Sequence, residues 1–375
     1  MKNRSFLFLC SVMLGTLAAC GEPQTSPAVR ERVAAEPSLT AASSVQITDL
    51  GTMGGISSSA AGINDNGLIV GASEVPCPAP CPFDEPPIHA FVWQNGQFTD
   101  LGTMGGQNSH ANAINNTGAI AGSAAAVGET ELATLWQNGQ VTNLGTFGGA
   151  SSVAYGINVN GVIVGTADQP AGQFVRFTGF KWQNGTKTSL GVLPGGDWSV
   201  AQGINASELI VGQGTNSIGA IRALAWRNGQ IRDLGNLAGG SQTAFAVATA
   251  INDVNQIVGY SDWRTAGGAQ HAFLWQNGRM TDLGVTPGVP AGSVTQAFGI
   301  NSAGQIVGSM TAPGRLAHAV LWNQGQAIDL GVLPNGNVSF AAGINSTAQI
   351  AGTANTRVSG SSIKHDHAAR WIFTP

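Results

Sequence analysis

The sequence predicts an all-β protein, a seven-bladed β-propeller of four-stranded blades whose ring is closed by pairing the N- and C-terminal strands. Three observations predict it. A hairpin word, complete in "HAFLWQNGRMTDLG" at His271 to Gly284, occurs seven times. Its Trp recurs every 43 to 49 residues, the length of one blade. The two chain ends carry complementary halves of that hairpin.

Each repeat holds four strand candidates. The first resembles "HAFLW" and turns through Asn-Gly into the second, "RMTDLG". Asn-Gly suits a type I′ hairpin turn because both central residues need positive φ. Five hairpins carry Asn-Gly, and a sixth carries Asn323-Gln324-Gly325. A link like "GTMGG" leads to the third strand, "SSAAGIN". A turn of the form Asn-x-x-Gly, as in Asn64 to Gly67, leads to the fourth, "LIVGAS". There the Asn side chain caps the turn and the Gly accepts positive φ.

The ends favour a ring over a linear stack. The repeats begin with an unpartnered second strand, "VQITDLG" (Val45 to Gly51), and end with an unpartnered first strand, "HAARWIF" (His367 to Phe373). Pairing them completes the seventh blade, whereas a solenoid would carry polar caps. Side-chain size sets the order within a blade. The small residues of "SAAGIN" suit the crowded strand beside the axis, and the Trp strand suits the wider rim. Burying one Trp removes about 150–250 Å² from water, roughly 4–6 kcal/mol gross, so packing accounts for the repeated Trp.

Composition agrees. Charged residues are 10% of the chain and Gly contributes 53 of 375 residues, which favours short strands and turns over helices. The formal charge of -4 provides no basic field, so nucleic acid is excluded as a partner.

The first residues read as a targeting segment. Lys2 and Arg4 precede an apolar run, Phe6 to Leu17, that is short for a membrane span. The words Leu17-Ala18-Ala19-Cys20 resemble the lipobox of bacterial lipoproteins. That resemblance implies cleavage of residues 1–19, lipidation (palmitate among the acyl chains) at Cys20, and a default address at the outer membrane or cell surface. An ordinary secretory peptide is the alternative. Residues 20–44 then form the lipid anchor and a flexible tether rich in Pro, Ser, Thr and Ala, and residues 45–375 form the repeat domain. Outside the cytosol, Cys77 and Cys81 in "VPCPAPCPFDEPP" are expected to form a disulfide.

The words His89-Ala90-Phe91 and His271-Ala272-Phe273, followed by Trp-Gln-Asn-Gly and Thr-Asp-Leu-Gly, resemble the HAF family of bacterial extracellular repeat proteins. The resemblance covers about residues 45–375. It implies secretion and no particular reaction, cofactor or catalytic residue. Other copies depart from it: His318 and His367 keep only the His-Ala, and Leu132, Thr178 and Arg222 replace the His.

The repeated polar residues read as structural. His89, His271, His318 and His367 share one repeat position, and a ring spaces them too widely to share an ion. Each is expected to bond a neighbouring blade or turn. Asp100, Asp233, Asp282 and Asp329 precede Leu-Gly and read as turn caps. No catalytic residue, metal site or cofactor is assigned. Functional candidates lie where the repeat breaks. The "GTMGG" links and the variable loops fall on one face of the disc, which collects the Cys77–Cys81 loop, His110, Trp198, Trp263 and Arg176. Exposed aromatics on irregular loops suggest a ligand face, and local lids are the alternative. The reading is a monomeric, non-enzymatic binding or scaffold module of the cell envelope. It would meet the membrane through its lipid and take a glycan or protein ligand. The alternatives are a polysaccharide-active extracellular enzyme on a propeller scaffold and a purely structural envelope protein.

Overall fold

A computed structural model describes residues 45–77, 85–265, 267–285, 289–290, 292–357 and 363–374. Cys20, the tether and Cys81 lie outside them. The described chain is all β, seven four-stranded antiparallel sheets arranged as the blades of a propeller. Strand β1 is Val45–Gly51. Blade 1 is β2 (Ser58–Ile63), β3 (Ile69–Glu74), β4 (Ile88–Gln94) and β5 (Gln97–Asp100), in that order across the sheet. Strands β6 (Gly105–Ile114) to β25 (Gln326–Asp329) repeat the order through blades 2 to 6. Blade 7 is β26 (Ser339–Ile344), β27 (Gln349–Arg357) and β28 (Lys364–Phe373), completed by β1. The closure is the expected one, with Ile47 opposite Trp371 and Val45 opposite Phe373.

The hairpin turns follow the backbone rule. The Asn of all five Asn-Gly pairs has φ near +50°, and Gln324-Gly325 takes the same conformation. The hairpin Trp fills the wedge: Trp226 and Trp371 are almost wholly buried, and Trp93, Trp136, Trp275 and Trp322 nearly so. The indole N–H groups of Trp136, Trp226, Trp322 and Trp371 are buried without a partner, at a cost of about 1–3 kcal/mol each. Volume is therefore what the Trp supplies.

One feature escapes the strand pattern. Every inner strand carries a one-residue bulge at the same place, as between Ala60 and Gly62 in blade 1. The bulge explains the closing Gly of "IVG". A Cβ on Gly71 would lie 1.9 Å from the Ser59 carbonyl oxygen, so the strand beside the bulge tolerates no side chain there.

Candidate functional site

Most repeated polar groups are used by the scaffold. Seven Asn side chains close a belt around the axis. Asn64 Nδ2 donates to the Asn115 carbonyl at 3.0 Å, Asn115 to Asn158, and so on round the ring, until Asn345 donates to Asn64 at 3.1 Å. Each Oδ1 meanwhile accepts two amides of its own turn, as from Asn66 and Leu68 at Asn64. The turn cap was legible in the sequence. The bond to the next blade was not, because it joins residues 43 to 51 apart, or 281 at the closure.

The repeated His bonds within its own blade. His89 Nδ1 meets Asp100 at 2.8 Å, His271 meets Asp282 at 3.0 Å, and His318 meets Asp329 at 2.9 Å. His367 meets Asp49 at 2.9 Å across the closing seam. Each Asp also accepts the N–H of the Gly two residues on, which is the expected turn cap. Where the His is lost, Arg222 keeps the repeat Asp, pairing with Asp233 at 2.9 Å, whereas Thr178 faces a changed partner and accepts from the Ser189 hydroxyl at 3.0 Å. The bond to Asp329 raises the His318 pKa against the opposing effect of burial, and the bond to Asp49 does the same for His367.

Blades are also stitched by a hydroxyl. The backbone N–H of Ala90, Ala133, Gly179, Ala272, Ala319 and Ala368 each donates to a Ser or Thr at the start of the next inner strand. Between blades 4 and 5 that position is Ala246, and the buried Arg222 guanidinium bonds the Ser241 and Ala244 carbonyls instead.

The candidate ligand-face residues fall in separate places. Trp198 is half-buried and stacks on Phe177, 5.5 Å between centroids, at the seam of blades 3 and 4. Arg176 pairs with Asp197 at 3.1 Å beside that stack. Trp263 lies flat on His271 at 4.2 Å, with the Arg264 guanidinium 3.9 Å from its ring. Both indoles are thus folded onto their own domain. His110 sits on the inner strand of blade 2, and burial pushes its pKa down. It lies opposite Ser123 in the strand register, and the Ser123 hydroxyl donates to Glu131 at 2.6 Å. Cys77 is disulfide-bonded, and Cys81 lies outside the described residues. No cluster of three or more His, Cys, Asp or Glu forms a metal-like group among the described residues.

Two other sets of residues stand out. The first is a crown of exposed apolar side chains on the variable loops: Val127, Phe174, Ile218, Leu316 and Ile363, joined by Ile56 on a link. The exposure of Phe174 is 73% and of Val127 84%. Sequence reading passed over them because they are not Trp. Their signal was an apolar residue set among Gly and polar residues in a loop, as in Val127-Gly128 and Ile218-Gly219. The second set is the bulge residues themselves: Ala61, Asn112, Tyr155, Gln202, Thr249, Phe298 and Ala342. Each is half-buried, while Val153-Ala154, Val200-Ala201 and Val247-Ala248 just before three of them are buried between blades. On the innermost strand the remaining open side is the channel. Below the bulges, toward the tight-turn face, the channel opens into a cavity of about 240 Å³, lined by the repeated Ile-Asn pairs and by Asp65 and Asp253.

Comparison with solved structures supports the architecture. The chain is similar to the β-propeller domain of the Trilobed protease from Pyrococcus furiosus, with 11% identity, a TM-score of 0.50, and coverage of 72% of this chain and 82% of that one. That propeller is described as having an open velcro topology, whereas here β1 and β28 pair. The chain is also similar to Pyrococcus horikoshii acylaminoacyl peptidase, with 11% identity and a TM-score of 0.52, covering 82% of this chain and 50% of that one. The Aleuria aurantia lectin matches at 12% identity and a TM-score of 0.37, over 69% of this chain and 94% of that one. At such identities these likenesses bear on the fold alone. No protein-family model matches the sequence, and no curated protein matches it. The chain is a seven-bladed, ring-closed propeller scaffold.

Proposed function

We propose that this propeller is a non-enzymatic binding module of the bacterial cell envelope, held to a membrane by a lipid on Cys20 and meeting its partner through the loop face. The observation that supports it most is the uneven use of side chains. The repeated His, Asp and Asn are bonded within or between blades. Among the described residues, six of the nine exposed large apolar residues lie on the loop face. Apolar side chains left in water on one face are what a binding surface presents. The lipobox-like Leu17-Ala18-Ala19-Cys20 supports the anchor, and the HAF-like words support an extracytoplasmic address.

Two experiments test this reading. Cys20→Ser should release the protein from membranes, and unchanged membrane association would refute the anchor. Glycan-array and pull-down screens of the mature chain, repeated with Phe174→Ser/Ile218→Ser, test the face. Loss of the captured partner in the double variant is expected, and equal capture by both proteins would refute the assignment.

A further inference from the structure

We infer that the bulge ring inside the channel is a selectivity site for a neutral saccharide entering from the loop face. This rests on the loop face being the ligand-bearing side. Elsewhere the inner strand uses one short word. Its bulge position differs between blades, and there the strand carries amide, hydroxyl and aromatic groups.

Three features fit a sugar. First, a bulge re-aims the extra side chain away from the sheet packing, and each of the seven is half-buried on the strand nearest the axis. Second, none of the seven positions carries a charge. An ion brought among them would lose hydration with no counter-charge at that level in return, which favours an uncharged ligand. Third, the groups present are donors and acceptors beside ring faces. Asn112 and Thr249 already bond carbonyls of the next inner strand, at 2.9 and 2.8 Å, and are thereby held in place. The Gln202 amide makes no hydrogen bond among the described residues, so a donor and an acceptor remain for a ligand. Tyr155 on the adjacent blade and Phe298, braced edge-on by Tyr260, supply aromatic surface for the C–H side of a sugar ring. Ala342 and Ala61, on neighbouring blades, are the two smallest side chains of the set.

The test uses the mature chain and millimolar glucose, N-acetylglucosamine and their β-linked disaccharides, with binding read by calorimetry and by NMR line-shape changes. At least one neutral probe is expected to bind. Gln202→Ala should weaken it at least about tenfold, as for one lost buried hydrogen bond, while Val141→Ser, exposed on the outer strand of blade 2, leaves it unchanged. Gln202→Glu, equal in size, should weaken it further and more steeply as pH rises. Circular dichroism and the thermal midpoint establish that each variant is folded. Binding that survives Gln202→Ala and Gln202→Glu overturns the channel site, and if it is lost in Phe174→Ser the loop-face reading stands alone. Absence of binding by every neutral probe also overturns the channel site. The pull-down with the Phe174→Ser/Ile218→Ser double variant then decides the loop face separately.

Discussion

The two faces of the disc are built by opposite rules. On the tight-turn face nearly the same residues recur seven times, and their polar groups meet in a belt of Asn side chains that runs once round the molecule. On the loop face the loops that join the second and third strands of each sheet differ from blade to blade, and apolar side chains are left in water. The lesson is that repetition here marks work done for the fold. A conspicuous repeated His or Asp is the wrong place to look for chemistry, since its partner is eleven residues away in the same blade.

The largest effect should come from opening the ring. Deleting β1 uncovers β28 and removes Val45, Ile47 and Leu50 from the core, at a cost on the order of 5 kcal/mol. Urea unfolding should lose its single cooperative transition. A deletion variant as stable as the parent would mean that the seam carries no load. Next comes the belt. Asn205→Ala orphans the amides of Ser207 and Leu209 and cuts the bond to the Asn252 carbonyl, costing roughly 2–4 kcal/mol of unfolding free energy, read from urea melts.

The closing His–Asp pair should make the seam pH-sensitive. The His367 pKa is raised in the fold above its ordinary 6.5, so its stabilisation is complete below that value and is lost as pH rises through the raised one. For Asp49, burial opposes ionisation, but the bonds from His367 and Gly51 prevail and lower its pKa below 3.8. Its contribution is therefore lost only as pH falls through that lowered value. The parent should lose about 1 kcal/mol or less between mildly acidic and mildly basic pH, after allowance for solvent screening. His367→Gln should flatten that slope in urea melts at the two pH values. The smallest effect on stability belongs to the loop crown. Val127→Ser and Ile218→Ser should change it by no more than about 0.5 kcal/mol, measured by thermal melts. A large loss there would mean the tips are packed elements of the fold.

The fold was legible because its signals are local. Asn-Gly selects the turn, Trp supplies wedge volume, and the split hairpin specifies closure. Long-range features were less so. The Asn belt depends on inner strands converging at the axis, which no single repeat reveals. The bulge had a trace, a Gly in the middle of every "IVG" strand, but alternation alone reads that strand as regular. The candidate ligand face was legible as a face. Its residues were harder to pick: Trp198 and Trp263 attract attention by type, yet Phe177 and His271 each cover one ring face. Exposure is set by how a loop folds back, which its composition does not determine.

Native-state hydrogen exchange tests the division between the faces most directly. The amides bonded to the seven belt Asn side chains, such as those of Leu68, Val162, Leu209 and Gln349, should exchange only with global unfolding, equally in all blades including the closing one. Amides at the Phe174 and Ile218 loop tips should exchange many times faster. Rapid exchange at Gln349 and along β28, with the other blades protected, would show that the ring is not closed and would contradict the account.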